Sequence, residues 1–437
     1  MTRLLGFPIA DHRRVFIIAL PMIISNIAAP LLGLVDTAII GHLPDAIYLS
    51  AVAVGATVIG FIYFLAVFMR MSMTALVAQN FGADDMAAQR HNSINGLFLA
   101  ALLGVLLILL TPAVLELSWW LMVPAPALQN LASDYISIRL WGAPAALMNL
   151  VILGVLLGRQ QSRQAMWLVI ATNAVNVIVD VWLIVILDWR VQGAAVASAA
   201  AEWSSCLLGL FWLRKSLALG WHHLRLNLKQ LLVLLRLNGD IFVRSLTLQL
   251  CMASMTAYAT RYGAIYVAVN AVLMQFLLLI SLGLDGIAYA VEALVGQAKG
   301  QGRSDRVRHW CRLTLLWSCL FAVAYSLIFI AFGEHIIRLL TDIDSVIDTA
   351  GHYLPWLMVL PLIGHWSYYF DGVFIGLAQS RGMRNTMLFA ALLGFLPLWW
   401  WGQRFENHGL WLALTGFLMM RGVAQAIWLK RHPQTLL

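Results

Sequence analysis

The sequence predicts an all-α integral membrane protein with twelve transmembrane helices in two six-helix lobes. Hydrophobic residues make up 62% of the 437 residues and charged residues only 11%. A water-facing surface usually requires about 25% charged residues, so a soluble globular protein is excluded. Apolar runs long enough to cross a bilayer, about 20 residues each, alternate with short charged segments. The two halves of the chain also repeat each other.

Apolar runs bounded by charges and turn residues predict twelve membrane spans, numbered here in chain order. The spans begin near Val15, Ile47, Ser93, Leu131, Ala165, Gly193, Leu234, Ile265, Trp310, Tyr353, Met387 and Leu410. Basic residues gather before span 1, in every second loop and after span 12, as with Arg13, Arg159, Arg214, Arg306 and Arg381. By the positive-inside rule, we expect a multi-pass protein with both termini in the cytoplasm.

The chain aligns with itself at an offset of 218 residues. ALVAQNFG (75–82) matches ALVGQAKG (293–300), and GVLLGRQQSR (154–163) matches GVFIGLAQSR (372–381) in the same register. The repeat predicts an N-terminal lobe (1–213), a basic cytoplasmic linker (214–233) with a surface-lying helix near 221–230, and a C-terminal lobe (234–437). Because six spans give both halves the same orientation, a pseudo-twofold axis along the membrane normal should relate them. Two such lobes around a midplane cleft are typical of alternating-access transporters.

Span 1 carries an isolated acid, Asp36, in the apolar stretch GLVDTAIIG. A carboxylate in the bilayer costs about 2.5 to 3.5 kcal/mol on insertion scales, so it usually faces a cavity or a partner. Pro21 and Pro30 in the same span each remove a backbone hydrogen bond, to the carbonyls of Ile17 and Asn26. These prolines make the helix bendable, and a fixed kink is the alternative interpretation.

Span 5 carries a polar stripe. Asn173, Asn176 and Asp180 are spaced by three and four residues and fall within about 60° of arc on a helix. Topology places Asp36 and Asp180 at similar depth in the outer half of the N-terminal lobe, with Ser198 beside them and no basic residue of that lobe at this depth. We expect the two acids to take up a proton, or to share Na⁺ with Asn176, at a coupling site. Hydrogen bonding between helices is the structural alternative for the asparagines and Ser198.

The C-terminal half carries its own polar residues toward the cytoplasmic side. They are Asp240 and Arg244 on span 7, Asp285 and Glu292 on span 8, and Asp371 on span 10. Asp240 and Arg244 are spaced to pair along one helix. Because bases are available here, an ion-paired structural cluster is favoured over a second ion site. At the offset of 218 residues, Asp36 corresponds to Ser254, so the acid pair is not repeated.

Four stretches resemble the multidrug and toxic compound extrusion (MATE) family, most closely its DNA-damage-inducible F-type branch. They are LPMIISNIAAPLLGLVDTAIIGHL (20–43), ALVAQNFG (75–82), TNAVNVIVD (172–180) and LDGIAYAVEALVGQAKGQG (284–302). The resemblance covers almost the whole chain. It implies twelve helices in two lobes and export of organic, mostly cationic or amphipathic compounds in exchange for H⁺ or Na⁺.

The resemblance also implies roles for individual residues. The N-lobe cation or proton site would comprise Asp36, Asn176, Asp180 and Ser198. Pro21 corresponds to the point where helix 1 bends, and Ser198 stands where relatives often have threonine. In another branch an acid on span 7 joins one on span 10 as a C-lobe ion site. Here Asp371 is present, but the middle of span 7 has Gln249 and no acid, which argues against that site.

Drug transport is favoured over two other functions. A lipid-linked precursor flippase of a related fold needs a basic central cavity for pyrophosphate, but the midmembrane bases are few, Arg70 and Arg244 being the main candidates. An enzyme is disfavoured, since the HExxH and GxSxG motifs do not occur. We therefore expect a monomeric antiporter of a bacterial inner membrane, surrounded by lipids, with no cofactor and no nucleic-acid partner. Its substrates would be small organic cations or amphipathic drugs.

Overall fold

The computed structural model describes residues 3–122, 125–217 and 228–436. A short antiparallel hairpin comes first, in which β1 (Arg3–Leu4) pairs with β2 (Phe7–Pro8), Arg3 opposite Pro8 and Leu4 opposite Phe7. The helices of the first half are α1 Ile9–Gly41, α2 Ala46–Ala66, α3 Phe68–Gly82, α4 Met86–Leu109, α5 Thr111–Met122, α6 Pro126–Leu140, α7 Ala143–Gly158, α8 Ser162–Asp180 and α9 Arg190–Ser216. Those of the second half are α10 Leu228–Tyr262, α11 Ala264–Gly300, α12 Ser304–Leu340, α13 Asp344–Gly376, α14 Ser380–Ala390, α15 Leu396–Gly402 and α16 Glu406–Arg431. The segments Val181–Ile186 and Ala391–Phe395 are π-helical, and Gln403–Phe405 and Pro433–Leu436 are 3₁₀ turns.

Each of the twelve predicted spans begins within one of these helices. Spans 2, 4 and 11 are each divided into two helices, α2 with α3, α6 with α7, and α14 with α15. Within the described residues, nine helical segments are long and apolar enough to cross a bilayer, or ten if α6 and α7, which are bent by 51°, count as one. Two causes explain why ten such segments are found where twelve spans are predicted. The segment Ser380–Arg431 contains two predicted spans, and the charge-bearing α10 is not among those segments.

The chain packs into two compact units. One comprises Ile24–Asn238, and the second comprises Met1–Ile23 and Gly239–Leu437. Helix α1 contributes to both. Val15 belongs to a hydrophobic core built from α11, α12 and α13, whereas Ile40 belongs to one built from α2, α6 and α9. The lobe boundaries at residues 213 and 234 stay a prediction, and the packing places the start of α1 with the second half of the chain.

The predicted linker lies partly outside the described residues. Helix α9 ends at Ser216 and α10 begins at Leu228. The surface-lying helix predicted over residues 221–230 therefore falls mostly on residues that are not described. Its last three residues belong to the first turn of α10.

The 218-residue repeat is visible in the backbone. Helices α2 and α11 begin at Ala46 and Ala264, and α8 and α14 begin at Ser162 and Ser380. Positive φ angles recur at the same offset, at Asp84 and Gly302, at Gln160 and Ala378, and at Asp188 and Glu406. Because positive φ is uncommon for residues other than glycine, these three pairs indicate that corresponding turns share one backbone conformation.

Close helix packing recurs as well. A Cβ atom at Gly154 of α7 would lie 2.5 Å from the carbonyl oxygen of Arg70 on α3. A Cβ atom at Gly372 of α13, 218 residues later, would lie 2.7 Å from the carbonyl oxygen of Ala288 on α11. Both distances are too short for a side chain, so these helix pairs depend on glycine, as small-residue interfaces in membranes commonly do.

The substitution Gly154→Ala is expected to destabilise the protein by about 1 to 3 kcal/mol, because the backbone of α3 must move away from the new methyl group. Gly60→Ala on α2 is the matched control, since a Cβ there meets nothing within 4 Å. Thermal unfolding of the purified proteins in detergent should give a lower midpoint for Gly154→Ala and not for Gly60→Ala. Equal midpoints for Gly154→Ala and the wild type would contradict the close packing.

Candidate functional site

The unit Ile24–Asn238 brings together the residues predicted to form a coupling site. Asp36 on α1 and Asp180 at the end of α8 have their carboxyl groups side by side, because Asp36 Oδ1 and Asp180 Oδ2 lie 3.1 and 3.0 Å from the same amide nitrogen of Asn176. A hydrogen bond between two such carboxyl groups requires a proton on one of them. Only 1% of the surface of Asp180 is exposed. Helix α8 passes into a π-helical turn directly after Asp180, a feature that occurs frequently at functional sites.

Asn176 connects both acids to α9. The amide is assigned the orientation in which Nδ2 donates to Asp36 Oδ1 at 3.1 Å and to Asp180 Oδ2 at 3.0 Å, while Oδ1 accepts from the hydroxyl of Ser198 at 3.1 Å and from the Ser198 backbone N–H at 3.2 Å. These contacts fix the amide orientation, because the opposite one would turn the amide oxygen toward two carboxyl groups. Asp36, Asn176, Asp180 and Ser198 are together termed the acid site.

Other residues predicted near this site have different contacts. Asn173 donates from Nδ2 to the backbone oxygen of Ala28 at 2.9 Å, which connects α8 to α1. Pro21, Asn26 and Pro30 lie within α1, which stays helical throughout its length. Bending of α1 during transport therefore stays a prediction.

A second group of polar residues, which no local sequence pattern indicates, lies next to the acid site. Arg139 Nη1 contacts Glu202 Oε1 at 2.9 Å, and the Tyr63 hydroxyl donates to Glu202 Oε2 at 3.5 Å. Tyr135, one turn before Arg139 on α6, interacts electrostatically with Arg139 and with both acids. Tyr63, Tyr135, Arg139 and Glu202 are together termed the arginine cluster.

The arginine cluster corrects one prediction. The sequence predicts no basic residue of this half at the depth of the two acids, and this is wrong. Arg139 is buried and interacts electrostatically with both Asp36 and Asp180. One signal could have revealed it, because Arg139 and Glu202 carry opposite charges at nearly the same distance into spans 4 and 6, which run in the same direction.

In the other unit, Asp371 on α13 lies between two guanidinium groups. Arg244 on α10 and Arg421 on α16 both form ion pairs with Asp371 Oδ2. Gln425 Nε2 donates to Asp371 Oδ1 at 2.8 Å, and all four side chains are buried. Asp285 interacts electrostatically with Arg244, and Glu292 is buried on α11.

The predicted pair between Asp240 and Arg244 does not form. Asp240 instead accepts hydrogen bonds from Arg384 Nη1 at 2.6 Å and from the Ser380 hydroxyl at 2.7 Å. A pair along one helix contributes only a few tenths of a kcal/mol, whereas a buried carboxylate needs charged donors. Arg244 therefore pairs with Asp371, and Asp240 bonds to Ser380 and Arg384 of α14.

The described residues contain no group of three or more His, Cys, Asp or Glu side chains that could hold a metal ion. The acid site has two carboxyl groups, one amide and one hydroxyl. Its chemistry is therefore that of binding and releasing a proton or a single positive charge.

Comparisons with known proteins agree with this architecture. The MatE family model matches residues 21–182 and 241–400. The chain is 42% identical to DNA damage-inducible protein F of Escherichia coli over 98% of this chain and 94% of that protein. It is 25% identical to the probable multidrug resistance protein NorM of Thermotoga maritima over 87% of this chain and 82% of that protein.

A solved structure also matches. A MOP superfamily transporter from Pyrococcus furiosus superposes with a TM-score of 0.87 at 20% sequence identity, covering 97% of this chain and 96% of that chain. This likeness confirms the predicted fold class of twelve transmembrane helices in two lobes.

Replacing Asp371 with asparagine should destabilise the protein more than replacing Asp240 with asparagine. Asp371→Asn removes the carboxylate that forms ion pairs with both Arg244 and Arg421, at a cost of about 3 to 5 kcal/mol. Asp240→Asn removes the partner of Arg384, whose side chain is 34% exposed and stays solvated. Thermal unfolding midpoints of the two variants measure the difference, and a lower midpoint for Asp240→Asn would contradict this ranking.

Proposed function

Because the chain belongs to the multidrug and toxic compound extrusion (MATE) family, we propose that it is a secondary active antiporter that exports small organic cations or amphipathic drugs in exchange for H⁺. Members of this family are efflux transporters and not enzymes, so the predictions of transport and of the family are confirmed. The chain is a multi-pass membrane protein. The substrate class, the coupling ion and the roles of individual residues belong to the proposal.

The observation that carries the proposal is the contact between the carboxyl groups of Asp36 and Asp180. Two ionised carboxylates in contact would repel each other strongly in surroundings of low dielectric constant, so the pair holds a proton or a cation. A second proton would neutralise both acids and remove their attraction for an organic cation. The acid site can therefore exchange a cation for a proton, as an antiporter requires.

The orientation assigned to the Asn176 amide suits H⁺ as the coupling ion. Its Nδ2 points to the two acids and its Oδ1 points to Ser198. The amide thus offers the acids a donor, whereas hard cations are bound by oxygen ligands. Na⁺ held by Asp36, Asp180 and Asn176 would require the amide to turn its oxygen to the acids, which keeps a bond from Nδ2 to the Ser198 hydroxyl at 3.1 Å and gives up the one from the Ser198 backbone N–H.

In the proposed cycle, protons enter from outside while the acid site faces outward. Neutralisation of Asp36, coupled to Asp180 so that neither titrates alone, weakens the binding of the organic cation, and α1 bends near Pro21. The organic cation leaves outward, and the return to the inward-facing state delivers the proton to the cytoplasm. Different affinities in the two states supply the coupling. We place this monomeric transporter in a bacterial inner membrane, with both termini in the cytoplasm and Pro30 and Asn26 in the bending helix.

A lipid-linked precursor flippase receives less support. Buried arginines are more numerous than the sequence predicts, and they include Arg70, Arg139, Arg244 and Arg421. Glu202 holds Arg139, and Asp371 holds both Arg244 and Arg421. A pyrophosphate would have to displace these carboxylates, whereas an organic cation would not.

The substitution Asp36→Asn is expected to abolish efflux of ethidium, a fluorescent organic cation, because an amide of the same size cannot take up the proton. Ser254→Asn is the matched control at the corresponding position of the second half, where the half-buried serine donates to the Leu250 carbonyl of its own helix at 2.7 Å. Fluorescence of membrane vesicles with equal protein content measures efflux. Wild-type efflux by Asp36→Asn would overturn the role of this acid.

Proteoliposomes with separately imposed gradients test the coupling ion. A pH gradient without Na⁺ should drive ethidium against its concentration gradient, and a Na⁺ gradient at uniform pH should not. Transport driven by Na⁺ alone would overturn H⁺ coupling and keep antiport. No ethidium movement under either gradient, with protein incorporated and folded, would overturn the proposed function.

A further inference from the structure

The arginine cluster lies one helical turn from the acid site along α9. Ser198 and Glu202 are four residues apart on α9, and Tyr135 and Arg139 are four residues apart on α6, so each pair lies on one helix face. Helix α6 packs on α9. The cluster is therefore built into the same part of the unit as the acids.

The backbone leaves space for the cluster. A Cβ atom at Gly142 would lie 2.2 Å from Glu202 Oε2, and a Cβ atom at Gly55 would lie 2.3 Å from the ring of Tyr135. Asn149 Nδ2 donates to the backbone oxygen of Glu202 at 2.9 Å and holds α9 against α7 at this level. The absence of a side chain at Gly142 thus leaves room for the Glu202 carboxylate, and its absence at Gly55 leaves room for the Tyr135 ring.

Arg139 has an N–H group that forms no hydrogen bond with the described residues. Its Nη1 contacts Glu202, and its guanidinium carbon lies 5.6 Å from the centroid of the Tyr63 ring. Its buried Nε donates to no partner among the described residues, and Asp180 Oδ1 likewise accepts from none of them. Guanidinium and carboxylate are natural partners, and these two groups already interact electrostatically.

The charged and titratable groups around the acid site come from five helices. They are Asp36 of α1, Tyr63 of α2, Tyr135 and Arg139 of α6, Asp180 of α8 and Glu202 of α9. Within this group Arg139 is the cation and faces three carboxyl groups. The electrostatic effect of Arg139 on Asp36 and Asp180 therefore depends on how strongly Glu202 binds the guanidinium.

We propose that Arg139 is a counter-cation of the acid site and that Glu202 modulates the strength of its electrostatic interaction with the two acids. While Glu202 holds the guanidinium, the acids keep a proton or a monovalent organic cation. When both acids are ionised and empty, Arg139 offsets their mutual repulsion. Arg139 and Glu202 are positioning residues, since they act through Asp36 and Asp180. This inference rests on the proposed function and assigns the charge balance of the same site.

Opposite shifts of the pH profile test the inference. Glu202→Gln removes the carboxylate that pairs with Arg139, so the arginine interacts more strongly with the two acids. Their ionised forms are then favoured, and the pH of half-maximal ethidium efflux falls by about one unit. Arg139→Gln removes the cation and leaves Glu202, so protonated acids are favoured and this midpoint rises. The double variant should lie between the two. A pair with a merely structural role would change yield and stability without opposite shifts.

Asp188→Asn is the control, because it breaks the exposed ion pair with Arg190, at 3.1 Å, in the same unit. Its midpoint should equal that of the wild type. Shifts in the same direction for Glu202→Gln and Arg139→Gln, or no shift, would overturn the counter-cation. If Arg139→Gln does not fold, Glu202→Gln decides the matter, since an unchanged or raised midpoint overturns the inference.

Infrared difference spectroscopy of the purified protein separates this inference from the proposed function. The band of the protonated carboxyl, assigned by its change in Asp36→Asn, titrates with pH whether or not ethidium is carried. Opposite shifts of that titration in the two variants, without ethidium transport, would support the counter-cation and overturn the proposed function. If ethidium is transported but neither the titration of the band nor the efflux midpoint shifts in the two variants, the counter-cation alone is overturned.

Discussion

An isolated charge in a hydrocarbon environment costs several kcal/mol, and this constraint determines where the polar side chains of the protein lie. In one unit, two carboxyl groups share the amide of Asn176, and Glu202 holds Arg139 beside them. In the other unit, Asp371 lies between two arginines. The helices that bear these residues are distant in sequence. Pairing their charges therefore also determines which helices pack together.

The sequence was sufficient to predict the fold class and the members of the acid site, because their signals are local. Asp36 interrupts an apolar run, and the spacing of Asn176 and Asp180 marks one helix face. Arg139 and Glu202 give no such signal, since each is a single charge whose partner lies on another helix. The spacing rule that suggested a pair within α10 also failed, because a buried carboxylate on α13 offers stronger contacts than a neighbour on the same helix.

The two halves of the chain share a backbone frame and differ in chemistry. Turns with positive φ and glycine-dependent helix contacts recur at 218 residues. The acid pair does not recur, since Ser254 stands where the first half has Asp36. In the second half the buried acid Asp371 is neutralised by arginines and hydrogen-bonded by Gln425, so its oxygens already have partners.

The division of α1 has a consequence for separating the chain into its two halves. The polypeptide passes from one unit to the other after Ile23 and again after Asn238. Two polypeptides cut between residues 217 and 228 would each carry a segment of the other's unit, the first the terminal hairpin and the start of α1, the second the start of α10. Two such halves would therefore have to exchange these segments to rebuild both units, as domain-swapped chains do.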